Sequence, residues 1–110
     1  MKVLRDLPSF ERLLGEPLAI VFKHSTTCGI SSRARAEAER FVAEHPECTV
    51  YEVDVHESRP LSNYIESKTG IRHESPQLLV LRHGEVVWHE SHGRVTAGAI
   101  AASLGQLDPK

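Results

Sequence analysis

Cys28 is the residue of this sequence whose position points most directly to chemistry. It lies in the segment Ser25-Thr26-Thr27-Cys28-Gly29-Ile30-Ser31, between an apolar run and an amphipathic segment that predicts a helix. A cysteine at a helix N-terminus is near unpaired backbone N–H groups and the positive end of the helix dipole. We therefore expect the pKa of Cys28 to lie below the free value of about 8.5, which favours the nucleophilic thiolate at neutral pH.

The neighbours of Cys28 can support such a thiolate. Thr27 and Ser25 offer hydroxyl groups that can cap the helix. Lys23 can add positive charge if its side chain turns towards the loop. Gly29 leaves room for a second molecule to approach the sulfur. The alternative interpretation, a small buried cysteine without reactivity, is less consistent with the small polar residues that flank position 28.

Position 31 decides what a reactive Cys28 can do. It is serine, so the sequence has C-x-x-S in place of C-x-x-C. The Ser31 hydroxyl can donate a hydrogen bond to a thiolate, but it cannot close a disulfide. If Cys28 is redox-active, it must form a mixed disulfide that an external thiol resolves.

Neither the second cysteine nor the histidines point to a further site. A helix over residues 31–45 would separate Cys48 from Cys28 by roughly 20 Å, far beyond the reach of a disulfide. Cys48 is therefore interpreted as a partly buried structural residue. Although the chain has seven histidines, their spacing does not match a metal motif, and no metal is expected.

The hydrophobic pattern predicts an α/β fold. Residues 18–22 form a continuous apolar run that indicates a strand buried on both faces, whereas residues 31–45 have helical periodicity. The Arg/Glu pairs at i,i+4 spacing on that helix are expected to face solvent. Residues 49–55 alternate with period 2 from Tyr51 and predict a second strand.

Further elements follow from capping and turn residues. Ser9 is expected to cap a first short helix, and a third helix is expected from Pro60 to Gly70. A hairpin with His83-Gly84 at its turn joins residues 77–81 to residues 86–88. Thr96 is expected to cap a last helix that ends at Leu104, with Gly105 beyond it. The result is one domain over residues 1–110 with a mixed four-stranded sheet flanked by helices.

Composition limits the possible partners and location. The chain has 110 residues and a formal net charge of -2, with acidic and basic residues interspersed. Because it has no basic tract, nucleic acid is not expected as a partner. It has no apolar run of the ~20 residues needed to span a membrane, and MKVLRDLPSF lacks the apolar region of a signal peptide. A cytoplasmic location with at least one free thiol is expected.

Four motifs, in order along the chain, resemble the monothiol bacilliredoxin family, a thioredoxin-like family of the bacillithiol system. They extend the resemblance from about residue 10 to about residue 100. They are Lys23-His24-Ser25-Thr26-Thr27-Cys28; Arg59-Pro60-Leu61-Ser62-Asn63; His73-Glu74-Ser75-Pro76-Gln77; and Gly84-Glu85-Val86 with Trp88-His89.

The resemblance implies a thioredoxin fold in which Cys28 is the active thiol. It also implies that Ser75-Pro76 is the cis-proline segment facing that thiol, with the backbone of Ser75 pairing with the substrate main chain. One departure is Gly29, where proline is expected to be common in the family. Glycine loosens the turn but leaves the nucleophile in place.

The implied reaction is the removal of bacillithiol from S-bacillithiolated proteins through a Cys28 mixed disulfide. Free bacillithiol is the external thiol co-substrate, and a bacillithiol disulfide reductase would act downstream. Because bacillithiol carries malate carboxylates, nearby cations would help to bind it. The candidates are Lys23, His73, Arg33 and Arg72, of which Lys23 and His73 lie in the motifs.

Two other functions remain open at this point. One is an iron–sulfur carrier of the monothiol glutaredoxin type, because Cys28-Gly29-Ile30-Ser31 is similar to that family's C-G-F-S loop. Against it, Ser75-Pro76 replaces the usual Val-Pro, and Ser91-His92-Gly93-Arg94-Val95 lacks the expected glycine-rich acidic turn. The other is a non-catalytic thioredoxin-like binding module in which Cys28 is only a target of thiol capping.

Overall fold

A five-stranded mixed sheet forms the centre of the molecule. The structure, a computed structural model, describes residues 1–25 and 29–107. Within these ranges the strands are β1 (Lys2–Val3), β2 (Ala19–His24), β3 (Val50–Asp54), β4 (Gln77–Arg82) and β5 (Glu85–Ser91). The helices are α1 (Leu7–Leu13), α2 (Gly29–Glu44), α3 (Arg59–Thr69) and α4 (Ala97–Leu107), with a 3-10 helix over His92–Arg94.

The sheet order is β1-β3-β2-β4-β5, in which β1, β3 and β2 are parallel, β4 is antiparallel to β2, and β5 is antiparallel to β4. The predicted parallel pair and hairpin are therefore confirmed. The predicted number of four strands is wrong by one, because β1 was not foreseen. It has two residues, which are too few to show any periodicity, and its pairing with β3 is a tertiary contact.

Two hydrophobic layers lie on opposite faces of the sheet because side chains alternate along each strand. In β2, Ile20 and Phe22 pack with Phe41 in the layer formed by α2 and α4. Val21 packs on the other face, in the layer that contains Phe10 of α1 and Ile65 of α3. As predicted, β2 is buried on both faces. Each fully buried aromatic or branched side chain contributes about 1.5–3 kcal/mol.

Several predicted helix ends are displaced in the structure. The first helix is capped by Asp6, not Ser9, because the Ser9 N–H donates to Asp6 Oδ1 at 2.9 Å. Two helices also run further than predicted: α2 begins at Gly29, not Ser31, and α4 continues through Gly105. The cap at Thr96 is confirmed, since its Oγ1 accepts from the Ala99 N–H at 3.1 Å.

No helix in the described ranges combines the length and apolar character needed to cross a membrane.

The β4–β5 turn requires glycine at position 84. His83 and Gly84 have φ angles of 51° and 83°, the two positive values that a two-residue hairpin turn of type I′ needs. A Cβ on Gly84 would also lie 2.9 Å from the Leu14 carbonyl oxygen. The turn is therefore packed against the end of α1 as well as being conformationally restricted.

We expect the Gly84→Ala variant to lose about 2 kcal/mol of unfolding free energy, because the left-handed backbone and the contact with Leu14 both oppose a side chain. Gly70→Ala is the matched control. Gly70 has a similar φ of 73°, but a Cβ there would meet nothing within 4 Å. Its expected loss is about 1 kcal/mol. Urea denaturation measures both values, and equal losses would contradict the role of the Leu14 contact.

Candidate active site

The candidate site lies where β2, β3 and β4 end or begin at one edge of the sheet. The Val55 N–H, just after β3, donates to the His24 carbonyl at the end of β2 with a distance of 2.9 Å. On the other side of β2, Lys23 is paired with Gln77 at the start of β4. Carboxyl ends of strands at a sheet edge are where α/β folds place their sites.

Cys28 and Thr27, two of the predicted site residues, lie outside the described residues. The structure does describe both ends of the segment that contains them. Strand β2 ends at His24, and helix α2 begins at Gly29. The sequence therefore places Cys28 immediately before the N-terminus of a 16-residue helix.

Ser31 joins the two ends of this segment. Its side chain is 1% exposed, and its Oγ accepts a hydrogen bond from the Ser25 N–H at 3.1 Å. The oxygen is thus used as an acceptor for the backbone. This bond leaves the hydroxyl hydrogen available, so the predicted donation to a thiolate is compatible with it. Ser31 has a structural role that its sequence position did not reveal.

Gly29 is exposed at the start of α2. A Cβ at this position would meet nothing within 4 Å, and the backbone φ does not require glycine. The space predicted beside Gly29 is therefore present with respect to its described neighbours. Proline at this position, the residue expected to be common in the family, suits the first residue of a helix equally well.

The Ser75-Pro76 peptide bond is cis, in agreement with what the resemblance implied. Pro76 is buried, and its carbonyl accepts from the His92 N–H at 2.9 Å, which fixes the segment to the 3-10 helix. The Ser75 Oγ is buried and has no hydrogen-bond partner in the described part of the chain.

Lys23 does not turn its side chain towards the loop, which was the condition for it to add positive charge there. Its side chain is 0% exposed and lies on the face of the sheet covered by α3, where its Nζ donates to the Ser62 carbonyl at 3.4 Å. Burial lowers the pKa of Lys23 from 10.5 to about 8, and the negative charge of Glu66 opposes this shift. The amine is therefore mainly charged at pH 7, inside the protein.

His73 is brought close to the same group. The ring Nδ1 of His73 lies 3.4 Å from the Ser62 Oγ, and the backbone N–H of His73 donates to Glu66 Oε2 at 2.7 Å. Partial burial, followed by the positive charge of Lys23, lowers the pKa of His73 below 6.5. Of the four predicted cations, the structure thus brings together Lys23 and His73. Arg33 and Arg72 are exposed, as is the His73 residue as a whole.

A partly buried polar network beside the site could not be found from the sequence. Arg35 Nε and Nη2 donate to the two carboxylate oxygens of Glu52, both at 3.2 Å, and His24 Nε2 lies 3.1 Å from Glu52 Oε1. This hydrogen bonding raises the pKa of Arg35. The network joins the ends of β2 and β3 to α2.

The prediction that the charged side chains of α2 all face solvent is therefore wrong. Arg35 contacts Glu52 as well as Glu39, and Glu37 Oε1 accepts from the Ala97 N–H at 2.9 Å, at the start of α4. Glu52 lies in the predicted strand β3, and no role was assigned to it from the sequence. In the structure that residue is 6% exposed because α2 covers it.

Cys48 is a half-buried residue just before β3. Burial, together with the negative charge of Glu47, raises the pKa of its thiol. It is therefore poorly suited to be a nucleophile. Over residues 1–25 and 29–107, no group of three or more His, Cys, Asp or Glu side chains could hold a metal ion.

These features define a thioredoxin-fold protein with a monothiol sequence at its site. Known structures agree with this class. Fasciola hepatica thioredoxin is 18% identical, with a TM-score of 0.77, and the match covers 98% of this chain and 100% of that chain. Plasmodium falciparum thioredoxin is 16% identical, with the same TM-score and the same coverage.

A family model described as "Monothiol bacilliredoxin BrxC" matches residues 3–100. The chain belongs to this family, and the resemblance seen in the sequence is confirmed. A solved structure described as a candidate oxidoreductase with a thioredoxin fold is 34% identical, with a TM-score of 0.88, and the match covers 94% of this chain and 92% of that chain. Together these similarities assign the chain a bacilliredoxin-like redox role.

Proposed function

We propose that this protein removes bacillithiol from S-bacillithiolated proteins in the cytoplasm, through a mixed disulfide on Cys28. The observation that supports this most is the presence of a buried, hydrogen-bonded serine at position 31. In a dithiol enzyme that position holds a resolving thiol, whereas here it holds a buried hydroxyl that bonds to the Ser25 backbone. With Cys48 beyond the far end of α2, the protein needs an external thiol to complete the reaction.

The reaction consists of two thiol–disulfide exchanges. In the first, the Cys28 thiolate attacks the bacillithiol sulfur of the mixed disulfide. The target protein's sulfur leaves as a thiolate and takes up a proton, and Cys28 is now bonded to bacillithiol. In the second, the thiolate of free bacillithiol attacks that bacillithiol sulfur, which releases Cys28 and forms bacillithiol disulfide. A separate reductase then supplies two electrons to regenerate bacillithiol.

The residues around position 28 support these steps in different ways. The N-terminus of α2 favours negative charge on the attacking sulfur. The Ser25–Ser31 bond holds the two ends of the segment at a fixed separation. The cis Ser75-Pro76 segment offers backbone for pairing with the target protein. The proposed reaction involves neither a nucleic acid nor a membrane.

Mass spectrometry of the reduced protein mixed with a bacillithiol-capped protein tests the proposal. We expect the bacillithiol mass to move to a peptide containing Cys28 and to disappear when free bacillithiol is added. The same target capped with glutathione is the matched control and should react more slowly. Faster reaction with the glutathione-capped target, or no transfer from the bacillithiol-capped one, would contradict the proposed specificity.

A further inference from the structure

A small cavity opens beside the candidate site, at the N-terminal end of α3. Its volume is about 110 Å³, the space of about three or four water molecules, which suits a carboxylate group with one or two carbons. The lining residues are Val55, His56, Arg59, Ser62, Asn63 and His73. Because the Val55 N–H donates to the His24 carbonyl, the cavity lies beside the end of β2, four residues before Cys28 in the sequence.

The floor of this cavity lies next to the buried ammonium group of Lys23. Its Nζ donates to the carbonyl of Ser62, and Ser62 is itself buried. In the described ranges no ion pair joins Lys23 to a carboxylate. Burying a charge without an ion-pair partner is costly, so the presence of a lysine at this position favours a function that uses the charge.

The carboxylates near the cavity are committed to other partners. Glu66 accepts from the His73 N–H at 2.7 Å, and Asp54 Oδ1 accepts from the N–H groups of His56 and Glu57 at 2.9 and 3.1 Å. Glu74 Oε1 lies 2.9 Å from His92 Nε2. Positive charge at the cavity comes from Arg59 on its rim and Lys23 beneath its floor. The cavity thus combines two positive charges with hydrogen-bond donors that a carboxylate could use, and the nearby carboxylates already accept hydrogen bonds from other groups.

We infer that this cavity binds a carboxylate of the small thiol that resolves Cys28, namely a carboxylate of the malate group of bacillithiol. Arg59 would donate to the carboxylate from the rim, Ser62 and Asn63 would offer neutral donors, and Lys23 would stabilise its charge from below. The inference deepens the proposed function and rests on it for the identity of the thiol. A thiol ligand anchored in this cavity would be held near the end of β2.

Titration of the reduced protein with L-malate tests the cavity without any redox reaction. We expect saturable shifts of the His73 and His56 imidazole signals in NMR spectra, with binding weakened about tenfold or more in Arg59→Gln, because one charged hydrogen bond is lost. Arg40→Gln, which removes an exposed arginine of α2, is the matched control and should bind malate like the wild type. No saturation by about 50 mM malate would overturn the inference.

The rate at which the Cys28 mixed disulfide is resolved tests the link to catalysis. Wild-type protein should react about tenfold faster with bacillithiol than with the same thiol lacking its malate group. This preference should disappear in Arg59→Gln and Lys23→Met and persist in Arg40→Gln and Lys68→Met. If both cavity variants kept the preference, the inference would be wrong. If no bacillithiol transfer occurred but malate bound with the expected dependence on Arg59, the proposed function would fail while the anion site stood.

Discussion

The Cys28→Ser variant is expected to lose bacillithiol transfer by a factor of about 10³ or more, because a serine hydroxyl is not ionised at neutral pH and cannot form a mixed disulfide. The measurement is the initial rate at which thiol appears on a bacillithiol-capped target protein. The variant should keep its fold, since the substitution changes one atom.

Cys48→Ser is the matched control for this prediction. Cys48 is half-buried before β3, and its raised pKa disfavours the thiolate. We expect this variant to transfer bacillithiol at the wild-type rate. A comparable loss in both variants would show that Cys48 takes part in the reaction. Retention of activity in Cys28→Ser would exclude the mechanism altogether.

The Lys23→Met variant is expected to be more stable than the wild type at pH 7, by up to about 3 kcal/mol. Burial lowers the pKa of Lys23 from 10.5 to about 8, and a change of this size corresponds to about 3 kcal/mol. Below pH 8 the lysine is charged in both states, so the folded protein bears the whole cost of the buried charge. Methionine fills a similar volume without that charge.

The difference in stability between the wild type and Lys23→Met is expected to fall as pH rises. Between pH 8 and 10.5 the unfolded chain still binds the Lys23 proton while the folded protein releases it, so wild-type stability rises through this window relative to the variant. Urea denaturation of both proteins from pH 7 to pH 10.5 measures the difference, which should shrink as pH rises. Lys68→Met, at an exposed position of α3, should show no such trend. A difference that is constant with pH would contradict the lowered pKa.

The cost of Lys23 to stability and its proposed role in binding the small thiol are related. A residue that lowers stability when charged, and that lies beneath an anion-binding cavity, fits the common observation that binding sites keep groups that the fold itself would exclude. Replacement of Lys23 is thus expected to strengthen the fold and to weaken recognition of the small thiol.

Much of the fold could be predicted because its signals are local. The apolar run of β2, the helical period of α2 and the hairpin turn at His83-Gly84 each occupy one continuous stretch of sequence. The errors occur where the deciding contact is distant or where two residues compete. Ser9 and Asp6 are both good capping residues, and only the geometry shows that Asp6 caps α1. Gly105 remains in α4 although glycine commonly ends helices.

The location of the candidate site on the sheet could be predicted from the sequence. The directions of its side chains could not. A cysteine between a strand and a helix can be found from pattern alone, and the resemblance pointed to Ser75-Pro76. By contrast, the role of Lys23 depends on which face of β2 is covered by α3, and alternation alone does not reveal this. The same holds for Glu52, whose burial depends on Arg35 coming from a helix 17 residues away in sequence.

The hydrogen bond between Ser31 and the Ser25 backbone has a consequence for how such proteins could change their chemistry. A sulfur atom is a weak acceptor with a longer contact distance than oxygen. Cysteine at position 31 would therefore supply a second thiol and at the same time remove the acceptor that holds the ends of the turn together. Conversion to a dithiol mechanism would need a compensating change to satisfy the Ser25 N–H. The single-thiol chemistry is in this sense supported by the backbone framework and is not simply the absence of a second sulfur.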